Sequence, residues 1–176
     1  MIAILLSLAC SPSPEDIAKT IVSSNPVARE DGAKIAQNYP DEAVEKALIS
    51  VLGEPSRTIR LNAIESLAEI EATTAGAPLI DRLANDDDPG VRRAAADALG
   101  RLKEKGAAPA LIAYVQGFGP EDRQQLAGVW ALGNIAAEGL DPEPRQAVLD
   151  ALAALRATTT DRFVRYQTTA ALRVLK

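Results

Sequence analysis

Histidine is absent from the 176 residues of this sequence, which removes the commonest general base and the commonest metal ligand together. Cysteine occurs once, as Cys10, so no internal disulfide can form. Aromatic side chains are scarce, with two Phe, three Tyr and one Trp. Strands favour β-branched and aromatic residues, whereas roughly a fifth of this chain is Ala, the best helix former; the composition predicts an all-α protein. A core made largely of Ala works where helices pack very closely. No long basic run is present and the net charge is −5, which argues against nucleic acid and against an anionic membrane face as partners. At this length one domain with a substantial core is expected.

Residues 1–9 are apolar apart from Ser7, and are too few to span a bilayer as a helix. Cys10 follows, and then Ser11-Pro12-Ser13-Pro14, an extended tether by composition. The stretch Leu6-Ser7-Leu8-Ala9-Cys10 resembles the lipobox of bacterial lipoproteins. Ser7 stands where that family usually has Leu, and no Lys or Arg follows Met1. The resemblance implies cleavage before Cys10 and a lipid on its thiol, with residues 1–9 a signal peptide and residues 10–13 a tether. The other reading is a buried apolar N-terminal helix with an incidental Cys.

Self-comparison of the remainder shows a repeat. Asp88-Pro89-Gly90-Val91-Arg92 opens an Ala-rich run to Ala98-Leu99-Gly100, and Leu111-Ile112 and Val115 follow after a short loop. Ile59-Arg60 leads in the same way to Ala63, Leu67 and Ile70, then to Leu79-Ile80 and Leu83. Val164-Arg165 leads to Thr168, Leu172 and Leu175. In a looser unit Gln125 takes the Arg position, followed by Leu132-Gly133, Val148-Leu149 and Leu152, and Leu48-Ile49 with Leu52 belongs to an earlier one. Every unit has two stretches of helical period, a first that is long and Ala-rich and a second that is shorter and Leu/Ile-rich. Ser13-Pro14, Asn25-Pro26, Asp88-Pro89 and Asp141-Pro142 read as N-caps followed by Pro at the first helical position. Helices are predicted near 14–23, 26–38, 41–52, 56–71, 75–85, 89–103, 107–117, 120–137, 143–156 and 160–175. Glycines 53, 76, 106 and 119 fall between them, where a left-handed residue is cheap.

A helix pair of this size cannot bury its apolar face alone, so neighbouring pairs must stack. The pattern Asp-x-x-Val-Arg, Ala-Ala, Ala-Leu-Gly, Leu-Ile-x-x-Leu resembles the HEAT repeat family, in the short bacterial form of the phycobilisome lyase subunits. Residues 88–115 carry it best; residues 56–83 have Ser56 in place of the Asp, and residues 119–152 lack the Arg. The resemblance implies an armadillo-type α-α superhelix of about four and a half helix pairs over residues 14–176, with a concave face lined by the second helices.

Few constellations suggest chemistry. Asp86-Asp87-Asp88 lacks the alternating ligands of a Ca²⁺ loop and reads as the end of one helix and the cap of the next. Gly117-Phe118-Gly119 has no preceding strand, and Pro120 removes a donor. Arg60, Arg92 and Arg165 recur at one repeat position, with Asp88 and Asp161 four residues before the last two. They are expected to form an Asp–Arg ladder between units, the alternative being an anion-binding row. Trp130 is expected in the packing. No nucleophile is placed beside a base, so no enzyme and no cofactor are expected.

These readings converge on a non-catalytic protein-binding scaffold, lipid-anchored through Cys10 in a bacterial cell envelope. The alternative is a cytoplasmic accessory subunit of an enzyme complex, such as a cofactor-attachment lyase. The partner is expected to contact the residues between the recurring apolar positions of the second helices, namely Ser50, Asp81, Arg82, Tyr114 and Asp150. The helix near 160–175 is a further candidate surface, for self-association.

Overall fold

The computed structural model describes residues 11–175, and within them every regular element is helical. Ten α-helices follow one another: α1 (Pro14–Ile21), α2 (Pro26–Ile35), α3 (Glu42–Ser50), α4 (Arg57–Glu69), α5 (Gly76–Asn85), α6 (Pro89–Arg101), α7 (Ala108–Gln116), α8 (Gln125–Ala137), α9 (Pro142–Thr158) and α10 (Arg162–Val174). The proposed signal peptide, residues 1–9, and Cys10 lie outside the described residues.

The capping signals operate as the sequence predicts. Side chains of Ser13, Asn25, Asp41, Ser56, Asp88 and Asp161 accept backbone N–H bonds at the starts of α1, α2, α3, α4, α6 and α10. Asp141 occupies the same place before α9 and makes no such bond. Helix α8 starts five residues later than predicted, because Asp122 turns the chain first by accepting the Gln124 N–H at 2.8 Å. The Thr159 hydroxyl then donates to the Pro120 carbonyl at 2.7 Å, tying that loop to the next unit. The left-handed turns do not fall on glycines 53, 76, 106 or 119; they fall on Glu71 (φ 53°), Lys103 (φ 55°) and Gly139 (φ 82°). Glu71 and Lys103 follow α4 and α6, where the N–H three places after each helix, on Ala72 or Glu104, reaches back to Leu67 or Leu99 and the residue before it must reverse.

Even-numbered helices, each the first of its unit, form one layer, and odd-numbered helices form the other. The recurring leucines Leu48, Leu79 and Leu111 are fully buried between the layers, as are Val148 and Leu152. Ile59, Ala63 and Leu67 of α4, and Val91, Ala95 and Leu99 of α6, face them. The two layers are unequally spaced. Successive first helices pack extensively along their lengths, α6 on α8 and α8 on α10 most of all, whereas from α3 onward successive second helices touch sparsely. Small residues cause the difference. A Cβ on Gly100 would lie 2.6 Å from the Ala131 Cα, and one on Gly133 would lie 3.3 Å from the Ala171 Cβ.

In a curved stack the tighter layer is on the inside. The inner surface is therefore built by α2, α4, α6, α8 and α10, which reverses the expectation that the second helices line it. Arg173 of α10 stands eight residues after Arg165, where the preceding units have Ala68, Gly100 and Gly133. Another helix stacked on α10 at the same spacing would have to bury that guanidinium.

Candidate functional site

The repeated arginine is a structural device. Arg29, Arg60, Arg92 and Arg165 each donate to the carbonyl six residues upstream, on Ser23, Glu54, Asp86 and Thr159, at 2.6–2.8 Å. Gln125 does the same to Gly119 at 3.4 Å, with its Oε1 buried and unpartnered. Each bond holds the turn that precedes the first helix of a unit. Two of these arginines also reach the next unit: Arg29 pairs with Glu54 at 3.2 Å, and Arg60 donates through Nε and Nη2 to both carboxylate oxygens of Asp86 at 2.9 Å.

The ladder expected between units takes Arg60 but not Arg92 or Arg165: Asp88 does not pair with Arg92, nor Asp161 with Arg165. Asp88 and Asp161 spend one oxygen on capping N–H groups and give the other to Arg57 at 2.9 Å and Arg123 at 2.8 Å, from the preceding unit. A ladder exists, therefore, but with different rungs. Those guanidiniums hold both carboxyls below the usual Asp range. In the Asp triplet, Asp86 is buried on Arg60 and Asp88 is a cap; no acidic cluster able to hold a metal occurs among the described residues.

The row expected on the second helices is only half exposed. In Leu-x-x-x-Leu frames of period 3.6, the residue three after the first Leu also faces inward. Val51, Tyr114 and Ala151 are accordingly buried, while Ser50, Asp81, Ala113 and Asp150 project outward. Arg82 is partly covered and lies on Asp81 and, at 3.6 Å, on Asp86. Tyr114 cannot anchor a partner there. Its ring meets Phe118 edge-on at 4.9 Å, its hydroxyl donates to the Gln124 carbonyl at 3.2 Å, and burial pushes its phenol up to about 12.

The exposed aromatic residues lie on the other layer. Trp130 of α8 is 40% exposed, and Phe163 and Tyr166 of α10 are 60% and 69% exposed. Half of the six aromatic side chains thus stand in solvent, all on the first helices. One hollow runs between α4 and α6 to Trp130, past Leu61, Arg93 and Asp97. The next continues past Trp130 to Phe163 and Arg123, and a third runs from Phe163 to Tyr166. Together they make a groove along the inner surface. Arg123 stacks over the Phe163 ring with its Cζ 4.8 Å from the centroid. Trp130 packs between units as expected, with its ring against Gly100 of α6, but it also leaves 40% of its surface in solvent. It stands five residues after Gln125, the position held by Glu65 and Asp97 after Arg60 and Arg92, and those charged residues in the same register already mark a solvent-facing row.

Asp97 lines both hollows that meet at Trp130. Burial holds its carboxyl above the ordinary Asp value, against the pull of Arg93 and Arg101. A folded-state value above the unfolded one means that the folded chain binds the proton more tightly. The associated stability is complete below the ordinary Asp value and is lost as pH rises through the raised one. Asp97→Asn is therefore expected to be more stable than the parent near neutrality, with the difference vanishing below the ordinary Asp range. Urea midpoints at the two pH values check this.

Comparison with known proteins places these features in context. A family model described as HEAT repeats matches residues 14–89 and 76–173. No curated protein matches the sequence. Among solved structures, the complex of CpcE and CpcF of phycocyanin lyase from Nostoc sp. PCC7120 aligns over 100% of this chain and 70% of that one, with a TM-score of 0.76 and 25% identity. An engineered protein aligns over 94% of this chain and 99% of its own, with a TM-score of 0.51 and 16% identity, a likeness of fold alone.

Proposed function

Because the chain belongs to the HEAT-repeat family, we propose that it is a non-catalytic scaffold whose first helices hold a protein partner in the inner groove. The observation that carries this reading is the exposure of Trp130, Phe163 and Tyr166 along one continuous surface of a protein with only six aromatic residues. Exposed aromatic side chains are enriched at the centres of protein interfaces. The test is co-purification from the native source with two double variants. Trp130→Ala with Phe163→Ala should lose the partner while the chain stays folded by circular dichroism, whereas Ser50→Arg with Asp150→Arg on the other layer should keep it. The opposite pattern would move the binding face to the second helices.

Two cellular settings suit such a scaffold. The likeness over the whole chain to a structure that is itself a complex of two proteins favours a subunit working beside another polypeptide, such as an accessory subunit of a lyase. The lipobox-like stretch before Cys10 favours a lipid-anchored envelope protein, and among the described residues no helix is long and apolar enough to cross a membrane. Mass spectrometry of the natively expressed protein separates the two. In the anchored form the mature chain begins at Cys10 with diacylglycerol on its thiol, and Cys10→Ser moves the protein out of the membrane fraction. A chain that retains residues 1–9 with a free Cys10 thiol excludes the anchor.

A further inference from the structure

The inner groove repeats with the helices that build it. Its first hollow opens between α4 and α6, the second crosses α8 from Asp97 of α6 to Phe163 of α10, and the third lies along α10. Trp130 borders the first two hollows and Phe163 the second and third. Equivalent positions, such as Glu65, Asp97 and Trp130, recur along the groove once per first helix. Packed helices lie about 8–10 Å apart, and the contacts at Gly100 and Gly133 hold this layer at the close end of that range.

An occupant that uses every step must present an equivalent side chain at that interval. A polyproline II segment does so, with three residues per turn and an advance of about 9 Å per turn. A strand returns to the same face after about 6.6 Å, and an α-helix completes a turn in about 5.4 Å. Neither keeps step with successive first helices. Charge makes no selection. Of the five arginines along the groove, three are held by acids on neighbouring helices, and Arg93 and Arg162 are matched in number by Glu65 and Asp97. The selective features are the three exposed rings, with the Trp130 indole N–H and the Tyr166 hydroxyl as donors. Prolines bring apolar rings to such aromatic faces, and the carbonyls of a polyproline II segment have no partner within it. We propose that the groove takes an uncharged proline-rich segment of a partner protein, in the polyproline II conformation, with prolines against Trp130, Phe163 and Tyr166. This rests on the reading that the inner groove is the binding face.

Trp130 is the only tryptophan, so its fluorescence reports on this surface alone. The experiment titrates the full chain with three uncharged synthetic peptides of equal length. One repeats Pro-Ala-Gln, the second rearranges the same residues so that no consecutive prolines are three apart, and the third is a helical peptide of Leu, Ala and Gln. The first is expected to shift Trp130 emission to the blue and to bind at least tenfold more tightly than either of the others. Raising salt should leave its affinity within twofold, because the charges along the groove balance. Phe163→Ala with Tyr166→Ala should weaken it at least tenfold with the circular dichroism unchanged. Equal binding of the first two peptides, tighter binding of the helical one, no binding of any, a steep salt dependence, or indifference to Phe163→Ala with Tyr166→Ala would overturn the proposal. So would a Trp130 shift driven by protein concentration alone, which would make a second copy of this chain the occupant. Failure here is distinguishable from failure of the functional reading. A native partner lost on Trp130→Ala with Phe163→Ala, but contacting the groove through a helix, would contradict the proline-rich segment and leave the groove in place.

Discussion

Replacing Gly100 with valine is expected to destabilise the protein by about 3 kcal/mol or to prevent folding, the upper end for overpacking a close contact. Gly100 is buried at the crossing of α6 and α8, where a Cβ would lie 2.6 Å from the Ala131 Cα and 2.8 Å from its Cβ. The nearest obstacle is backbone, so no side-chain rotation relieves the clash; the two helices must move apart. Because this contact sets the spacing of the inner layer, the same change should widen the groove next to Trp130, 3.0 Å from the added atom. Gly53 serves as the control, since it is exposed and a Cβ there would meet nothing within 4 Å. Gly53→Ala is expected to stay within about 0.5 kcal/mol of the parent. Equal denaturation midpoints for Gly100→Val and Gly53→Ala would refute the close-packing account.

The second large effect is expected from Arg60→Ala. The Asp86 side chain it pairs with is 2% exposed, and both of its carboxylate oxygens receive Arg60 at 2.9 Å. Removing one partner of a buried pair strands the other charge, at a typical cost of about 3 kcal/mol. Asp86 retains the Asp88 N–H at 3.0 Å and Arg82 at 3.6 Å, which places the loss at the lower end of that range. Arg92→Ala removes bonds to the Asp86 and Asp87 carbonyls and no carboxylate pair, so about 1 kcal/mol is expected. Chemical denaturation of both variants checks the ranking, and a larger loss at Arg92 would contradict the rung assignment.

Much of the fold was legible because its causes are local. Ser13, Asn25 and Asp88 each precede a proline that starts a helix, and the leucines at 48, 79 and 111 mark one buried frame. What escaped the sequence depends on distances between elements. Asp88 and Arg92 are four residues apart, a spacing suited to a pair within one helix. Asp88, however, caps α6, and its second oxygen faces Arg57 on α4, which no local spacing reveals. The choice of inner layer turns on how closely helices approach. Its sign in the sequence is Gly100 and Gly133 on the first helices, against Leu and Ile on the second. Of the two residues between apolar positions on a second helix, the helical period turns one inward, and at α7 that residue is Tyr114.

The central claim is that a protein partner occupies the groove of the first helices, and site-directed photo-crosslinking in native cells tests it most directly. A photoreactive phenylalanine analogue at Gln167, exposed beside Trp130 and Phe163, is predicted to yield one discrete adduct that disappears in the Trp130→Ala background. The same analogue at Ser50 or Asp150, exposed on the opposite layer, is predicted to yield none. A discrete adduct from Ser50 or Asp150, with none from Gln167, would contradict the account.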